Sequence, residues 1–202
     1  MRVIVVSALI VLLDQITKLM VKGITLPSIG ITIEGMRYGA SRPVLGDFFR
    51  LTYIENPGMA FGINVGDKPL FAVISLIASA AIILYLYRSR SEPLGFRISL
   101  AMILGGAVGN LIDRVFYGVL FHEAPLFHGK VVDFFDVDFF NVNVWGYVLN
   151  RWPVFNIADA SVTVGVVLLL LLHRGGTSRK EHPLEAEASP STLTTSEHSD
   201  QN

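Results

Sequence analysis

Between Pro69 and Tyr87 the chain runs for nineteen residues without a charged side chain, and no other feature restricts its folding as severely. A bilayer core takes roughly 20 apolar residues of helix at about 1.5 Å each, so this run is expected to cross a membrane. The composition agrees: 51% of the 202 residues are hydrophobic, 16% are charged and the mean hydropathy is +0.53. A water-soluble single domain is excluded as the expectation.

Three further runs have similar length. Val3 to Leu13 resembles the apolar region of a secretory signal peptide. It continues through Asp14-Gln15-Ile16-Thr17-Lys18 to Val21 instead of reaching a small-residue cleavage site, which predicts an uncleaved first span. Leu94 to Ile112 carries only Arg97, near one end, where its stem can snorkel. Pro153 to Leu172 opens with a proline, tolerated at a helix start, and is interrupted only by Asp159. The expected fold is an all-α membrane protein with four transmembrane helices, at about 3–21, 69–87, 94–112 and 153–172. Residues 1–174 form its membrane domain.

Lysine and arginine in short flanks hold those flanks in the cytoplasm. Arg2, Arg88, Arg90, Arg97, Arg174, Arg179 and Lys180 are seven such positives close to spans. The much longer segments 23–68 and 113–152 also hold only seven. Both termini are therefore expected in the cytoplasm and the two long segments outside it. Phe49, Leu51 and Tyr53 alternate with Arg50, Thr52 and Ile54, and Val142 and Val144 with asparagines, predicting strands in a small extracytoplasmic β-rich layer. Pro57-Gly58 ends the first strand in a turn. The tail 175–202 turns to Ser, Thr, Glu and His and is expected to be disordered and cytoplasmic. The chain contains no internal repeat.

A net charge of -1 lacks the basic excess that nucleic-acid binding needs, and the absence of cysteine removes disulfides, thiolate metal sites and a cysteine nucleophile. His122-Glu123 is followed by His128 across Pro125, which is not zinc-helix spacing. No Gly-x-Ser-x-Gly elbow occurs. Ionisable residues within or bordering spans remain, and these are costly enough to suggest function. Asp14 and Lys18, four apart, suit an ion pair. Asn110, Asp113 and Arg114 close the third span after Gly105-Gly106-Ala107-Val108-Gly109, whose glycines favour close helix packing. Asp113 and Arg114 suit either an ion pair or a ligand contact. Asp133, Asp136 and Asp138 lie among large apolar residues just outside that span. Asp136 and Asp138 read best as solvated loop acids, whereas the apolar neighbours of Asp133 would raise its pKa. Asp159 stands about 9 Å into the fourth span as counted from Pro153, with Asn156 a turn before it.

Asp113, Asp133 and Asp159 are all expected at the outer membrane level. Two of them sharing a proton would form an aspartic-protease pair, one acid and one base. A small transporter or channel subunit relaying protons through Asp14, Lys18, Asp113 and Asp159 would spread its ionisable groups through the membrane depth. Here they gather near one face.

The motifs Asp14-Gln15-x-x-Lys18, Asn56-x-Gly58-x-Ala60-Phe61-Gly62, Gly105-Gly106-Ala107-x-Gly109-Asn110-x-x-Asp113-Arg114, Val131-Val132-Asp133-Phe134 and Phe155-Asn156-x-Ala158-Asp159, in this order on four spans, resemble the five sequence boxes of bacterial lipoprotein signal peptidase, signal peptidase II. The resemblance covers residues 14 to about 165. It implies an aspartyl endopeptidase of the bacterial inner membrane, with its active site at the outer face. Its substrates would be prolipoproteins bearing a diacylglyceryl cysteine, cut on the N-terminal side of that cysteine among membrane lipid, without metal or cofactor. Carried over by motif, Asp133 and Asp159 are catalytic. Asn56, Asn110, Arg114 and Asn156 surround the substrate, and Asp14 supports the site. Lys18, Gly58, Gly105, Gly106, Gly109 and Asp113 are structural. The stretches Glu34 to Pro43 and Phe121 to Lys130 are longer than the family pattern, the latter suggesting an added lid or rim.

Overall fold

The computed structural model describes residues 2–60, 63–64, 68–138, 142–144, 147–149 and 151–177. It is mostly helical, with several apolar helices and small sheets. Among the described residues three helical stretches have the length and apolarity to cross a membrane: Ile4–Lys22, Pro69–Arg88 and Leu94–Leu120; Ile157–Leu172 is a shorter apolar stretch. The helices are α1 (Ile4–Lys22), α2 (Lys68–Arg88), α3 (Leu94–Ile112), the short α4 (Gly118–Leu120) and α5 (Ile157–Thr177).

The third span does not close at Ile112. A π-helical turn over Asp113–Tyr117 joins α3 to α4, and such widened turns commonly occur at functional sites. The fourth apolar helix does not begin at Pro153. Phe155 is held in extended conformation by backbone pairing with Phe135, its N–H donating to the Phe135 carbonyl (3.0 Å) and its carbonyl accepting from Phe135 (2.7 Å). Helix starts only at Ile157, so Asp159 lies in its first turn, not about 9 Å in. The tail expected to be disordered lies, from residue 178, outside the described residues, as do Phe61, Gly62 and Asn141.

The central helix is α3, packed against α1, α2 and α5. Its glycines permit this. A β-carbon on Gly105 would stand 2.9 Å from Ile10 Cβ, and one on Gly106 would strike the Ala158 carbonyl oxygen. Serines then bond across the contacts: Ser7 donates to the Ala101 carbonyl (2.6 Å) and Ser161 to the Met102 carbonyl (2.8 Å). Small residues and interhelical hydroxyl bonds are what hold helices together in lipid, where apolar burial supplies little drive. Outward faces carry exposed Leu9, Leu13, Ile77, Leu84 and Leu170, as expected of surfaces bathed in hydrocarbon.

At one end of the helices lie the small sheets. β1 (Ile24–Leu26) pairs with β2 (Ile31–Ile33). Strands β3 (Ser41–Leu45), β4 (Phe49–Asn56) and β7 (Val131–Val137) form an antiparallel three-stranded sheet in the order β3-β4-β7. Between β4 and β7 in sequence, β5 (Met59–Ala60) pairs with β6 (Ile63–Asn64). After β7, β8 (Val142–Val144) pairs with β9 (Tyr147–Leu149). The expected strands at Phe49 and Val142 are present. Val132 and Phe134 of β7 pack with Tyr53, Val21 and Tyr117 in one buried cluster, which seats the sheet on the ends of α1 and α3.

Candidate active site

The convergence of α1, α3 and α5 brings polar residues together where hydrophobic packing would otherwise continue. Asp14 and Lys18, one turn apart on α1, are both fully buried and paired at 2.7 Å. Lys18 Nζ also lies 2.8 Å from Asp113 Oδ2 and donates to Asn110 Oδ1 at 2.9 Å. Asp113 is thus the partner of Lys18, not of Arg114. Its second oxygen accepts from Gln15 Nε2 (2.9 Å), and Oδ2 accepts from the Val132 N–H (3.2 Å), tying α1 and the π turn to β7. Gln15 in turn accepts from the Tyr117 hydroxyl (3.1 Å). Spacing did not single out Gln15 or Tyr117. Gln15 sat inside a motif, but residues adjacent on a helix do not ordinarily share a face; here its long side chain reaches round so that Nε2 also donates to Asp14 Oδ2 at 3.2 Å.

The start of α5 is built around Asn156. Its Oδ1 accepts from the Asp159 N–H (2.9 Å), while Asp159 Oδ2 accepts from the Asn156 N–H (3.3 Å). This reciprocal arrangement is a capping box. A third free N–H of the first turn, that of Ala158, donates to Asp14 Oδ1 from across the bundle (3.0 Å). A β-carbon on Gly109 would stand 2.7 Å from Asp14 Oδ2, so the glycine makes room for that carboxylate.

The same Asn156 joins the two strongest candidates. Its Nδ2 donates to Asp133 Oδ1 at 2.6 Å and to Asn110 Oδ1 at 3.1 Å, and Asn110 Nδ2 donates to Asp159 Oδ1 at 2.7 Å. Asp133 and Asp159, 26 positions apart in the chain, therefore share one hydrogen-bond network. Asp133 is 3% exposed. Burial, then the neighbouring Asp159 charge, pushes its carboxyl up to about 7 against the opposing effects of Lys18 and Asn156. Such a value suits proton transfer near neutral pH.

Arg114 approaches the same region. Its guanidinium donates to the Asn110 carbonyl (3.4 Å), and its buried Nε has no hydrogen-bond partner among the described residues. Asn56 ends β4 opposite Val131, two residues from Asp133 on the paired strand. Its Oδ1 accepts from the Gly58 N–H (2.9 Å), closing the turn in which Gly58 has φ +109°. A β-carbon there would be strained and would meet the Phe71 ring at 2.8 Å.

Asp136 is not a solvated loop acid. It sits buried on β7, bonded to Arg151 Nε (2.7 Å) and the Thr52 hydroxyl (2.6 Å). The Phe121–Lys130 stretch folds back on the helix that precedes it. Glu123 and Ala124 N–H groups bond the Gly118 carbonyl, Phe127 bonds that of Val115, and Gly129 that of Arg114. Lys22 grips both Glu123 and Glu55, and Lys130 holds Glu55 at 2.8 Å. Burial would raise the Glu55 carboxyl, but hydrogen bonds from Lys130, Lys22 and Tyr53 outweigh it and hold the pKa at about 2. No cluster of metal-ligating side chains occurs among the described residues.

The family model for signal peptidase (SPase) II matches residues 6–173. The chain belongs to the signal peptidase II family. It is 37% identical over 167 residues to a lipoprotein signal peptidase of Halothermothrix orenii, covering 83% of this chain and 91% of that one. Over 184 residues it is 35% identical to a lipoprotein signal peptidase of Moorella thermoacetica, covering 89% and 99%. A bacterial membrane enzyme structure solved by the in meso method at 2.3 Å resolution superposes with TM-score 0.65 at 30% identity, covering 92% of this chain and 94% of that one. Family membership and the apolar helices together make the chain a multi-pass membrane protease.

Proposed function

We propose that the chain is an aspartyl endopeptidase that removes the signal peptide from diacylglyceryl-modified prolipoproteins, cutting on the N-terminal side of the lipidated cysteine. It works at the outer face of the bacterial cytoplasmic (inner) membrane. Four spans carry it, with both termini in the cytoplasm and the sheets outside. The observation that carries the reading is the network in which Asn156 binds Asp133 and Asn110 binds Asp159. The Halothermothrix orenii and Moorella thermoacetica relatives, both lipoprotein signal peptidases, supply the substrate class.

Water placed between the two carboxyls loses a proton to Asp159, and its oxygen attacks the scissile carbonyl carbon. Asp133, with its pKa near neutrality, holds the proton that passes to the departing amine nitrogen as the carbon–nitrogen bond breaks. No covalent enzyme intermediate forms, and neither metal nor cofactor is required. The Nε of Arg114, without a hydrogen-bond partner among the described residues, suits a substrate carbonyl, and Asn56, Asn110 and Asn156 are assigned to substrate contact in the same reading.

The test is cleavage of a lipidated prolipoprotein by purified protein in detergent. Asp133→Asn and Asp159→Asn should each abolish cleavage while substrate binding persists. Asp138→Asn should cleave like the wild type. Full activity in both single variants at 133 and 159 would refute the pair.

A further inference from the structure

Lys18 stands out because a buried ion cluster is a poor way to stabilise a helix bundle. An ammonium is costly to desolvate, and apolar residues of similar volume commonly do as well or better in its place. Lys18 is nonetheless fully buried, and each of its three N–H groups meets an acceptor. Two are the carboxylates of Asp14 and Asp113, and the third is Asn110 Oδ1. That third bond is unnecessary for neutralising charge. It leads instead to Asn110, whose other amide end lies 2.7 Å from Asp159 Oδ1.

We propose that Lys18 is a positioning residue for peptide cleavage: its ammonium sets which way round the Asn110 amide sits, so that the Asn110 N–H groups face Asp159. The inference rests on the two-aspartate reading above and adds to it a determinant three helices wide. An asparagine amide is nearly symmetric in shape, so its direction is decided by its partners. An ammonium can only donate, and therefore demands the oxygen. Reversed, the amide would turn its NH2 toward an ammonium and its carbonyl toward a carboxyl oxygen, two repulsive contacts in place of two bonds. Asn156 Nδ2, donating to the same Asn110 oxygen at 3.1 Å, favours the same direction and thereby depends on it. Releasing Asn110 would loosen both ends of the chain Asp133–Asn156–Asn110–Asp159.

A simple loss of Lys18 would strand two buried carboxylates and threaten folding. Lys18→Met combined with Asp113→Asn avoids this: Lys18, Asp14 and Asp113 together carry one net negative charge, and so does the substituted cluster. The reference is the wild type, which carries the same net charge, and Asp113→Asn alone, which keeps the Lys18 bonds to Asp14 and Asn110, shows what loss of the Asp113 carboxylate does by itself. In detergent with lipidated prolipoprotein, the paired variant should show kcat lower than the reference by roughly a hundredfold, the low end of what losing a preorganised donor costs, with KM within about twofold. Asn110→Ala should lower kcat strongly in the reference but add little in the paired variant, because the Asn110 contribution is already gone. Equal kcat in reference and paired variant, or losses that multiply, would overturn the proposal. Lys18→Met with Asp14→Asn has the same charge balance and repeats the test if the first pair does not fold. Failure of both pairs to fold would also overturn it, by making Lys18 a requirement of the fold. Asp133→Asn and Asp159→Asn are assayed alongside. Cleavage by both would remove the two-aspartate reading itself, whereas their inactivity with an unaffected Lys18 pair removes only the role of Lys18.

Discussion

Replacing Asp133 with asparagine should make the protein more stable at pH 8 while destroying its activity. Asp133 is 3% exposed, and burial with the neighbouring Asp159 charge pushes its carboxyl up to about 7 from the ordinary 3.8. Between those two values the folded chain retains a proton that the unfolded chain has released. The folded state then binds more protons, so stability falls as pH rises through this window and the full penalty is present above about pH 7. At about 1.4 kcal/mol for each tenfold change, the penalty reaches about 4 kcal/mol. Below about pH 4 both states are protonated and it vanishes. The amide introduced by Asp133→Asn keeps an oxygen for Asn156 and never ionises. The wild type and Asp133→Asn should therefore be melted in one detergent at pH 4, 6 and 8. The difference in their unfolding free energies should shift by about 4 kcal/mol in favour of the variant from the lowest pH to the highest. A pH-independent difference, or a wild type more stable than the variant at pH 8 by as much as at pH 4, would refute the account of Asp133 as a buried carboxyl crowded by Asp159. An active-site residue that costs stability is the expected exchange between stability and activity.

The cleavage rate should carry the same signature, with kcat/KM falling above about pH 7 as the pair loses the proton that the leaving amine requires; a profile flat to pH 9 would contradict it. Gly106→Ala drives a β-carbon into the Ala158 carbonyl and the Val162 side chain, so the variant should fail to yield a monodisperse protein by size-exclusion chromatography, whereas Gly30→Ala, with open space around the added carbon, should yield it despite a strained φ of +67°. A reporter fused after residue 130 should register a non-cytoplasmic location, and a cytosolic signal would reverse the topology.

The apolar helices were the most legible part of the chain. The run expected at 69–87 is α2 (Lys68–Arg88), and that at 94–112 is α3 (Leu94–Ile112). Crossing hydrocarbon is a one-dimensional demand on length and charge, so it can be read along the chain. The start of α5 was misplaced because nothing local stops a helix at Pro153. It is the pairing of Phe155 with Phe135, a partner 20 positions away, that keeps the segment extended. Asp136 likewise looked solvated because its neutralising partner, Arg151, lies beyond two intervening strands in sequence.

By itself, then, the order of residues determined where the longest apolar helices run, which of their polar residues would be expensive to bury, and which glycines would admit a neighbouring helix. Those are properties of single segments against lipid, additive along the chain. Only the tertiary structure decided which expensive residues neutralise one another: that Asp113 takes Lys18 instead of Arg114, that Asp14 caps a helix 144 positions away, and that Asn156 and Asn110 bind Asp133 and Asp159 into one network. Hydrogen bonds and ion pairs act over about 3 Å, and which atoms come that close is a property of the packed helices and not of the chain that forms them.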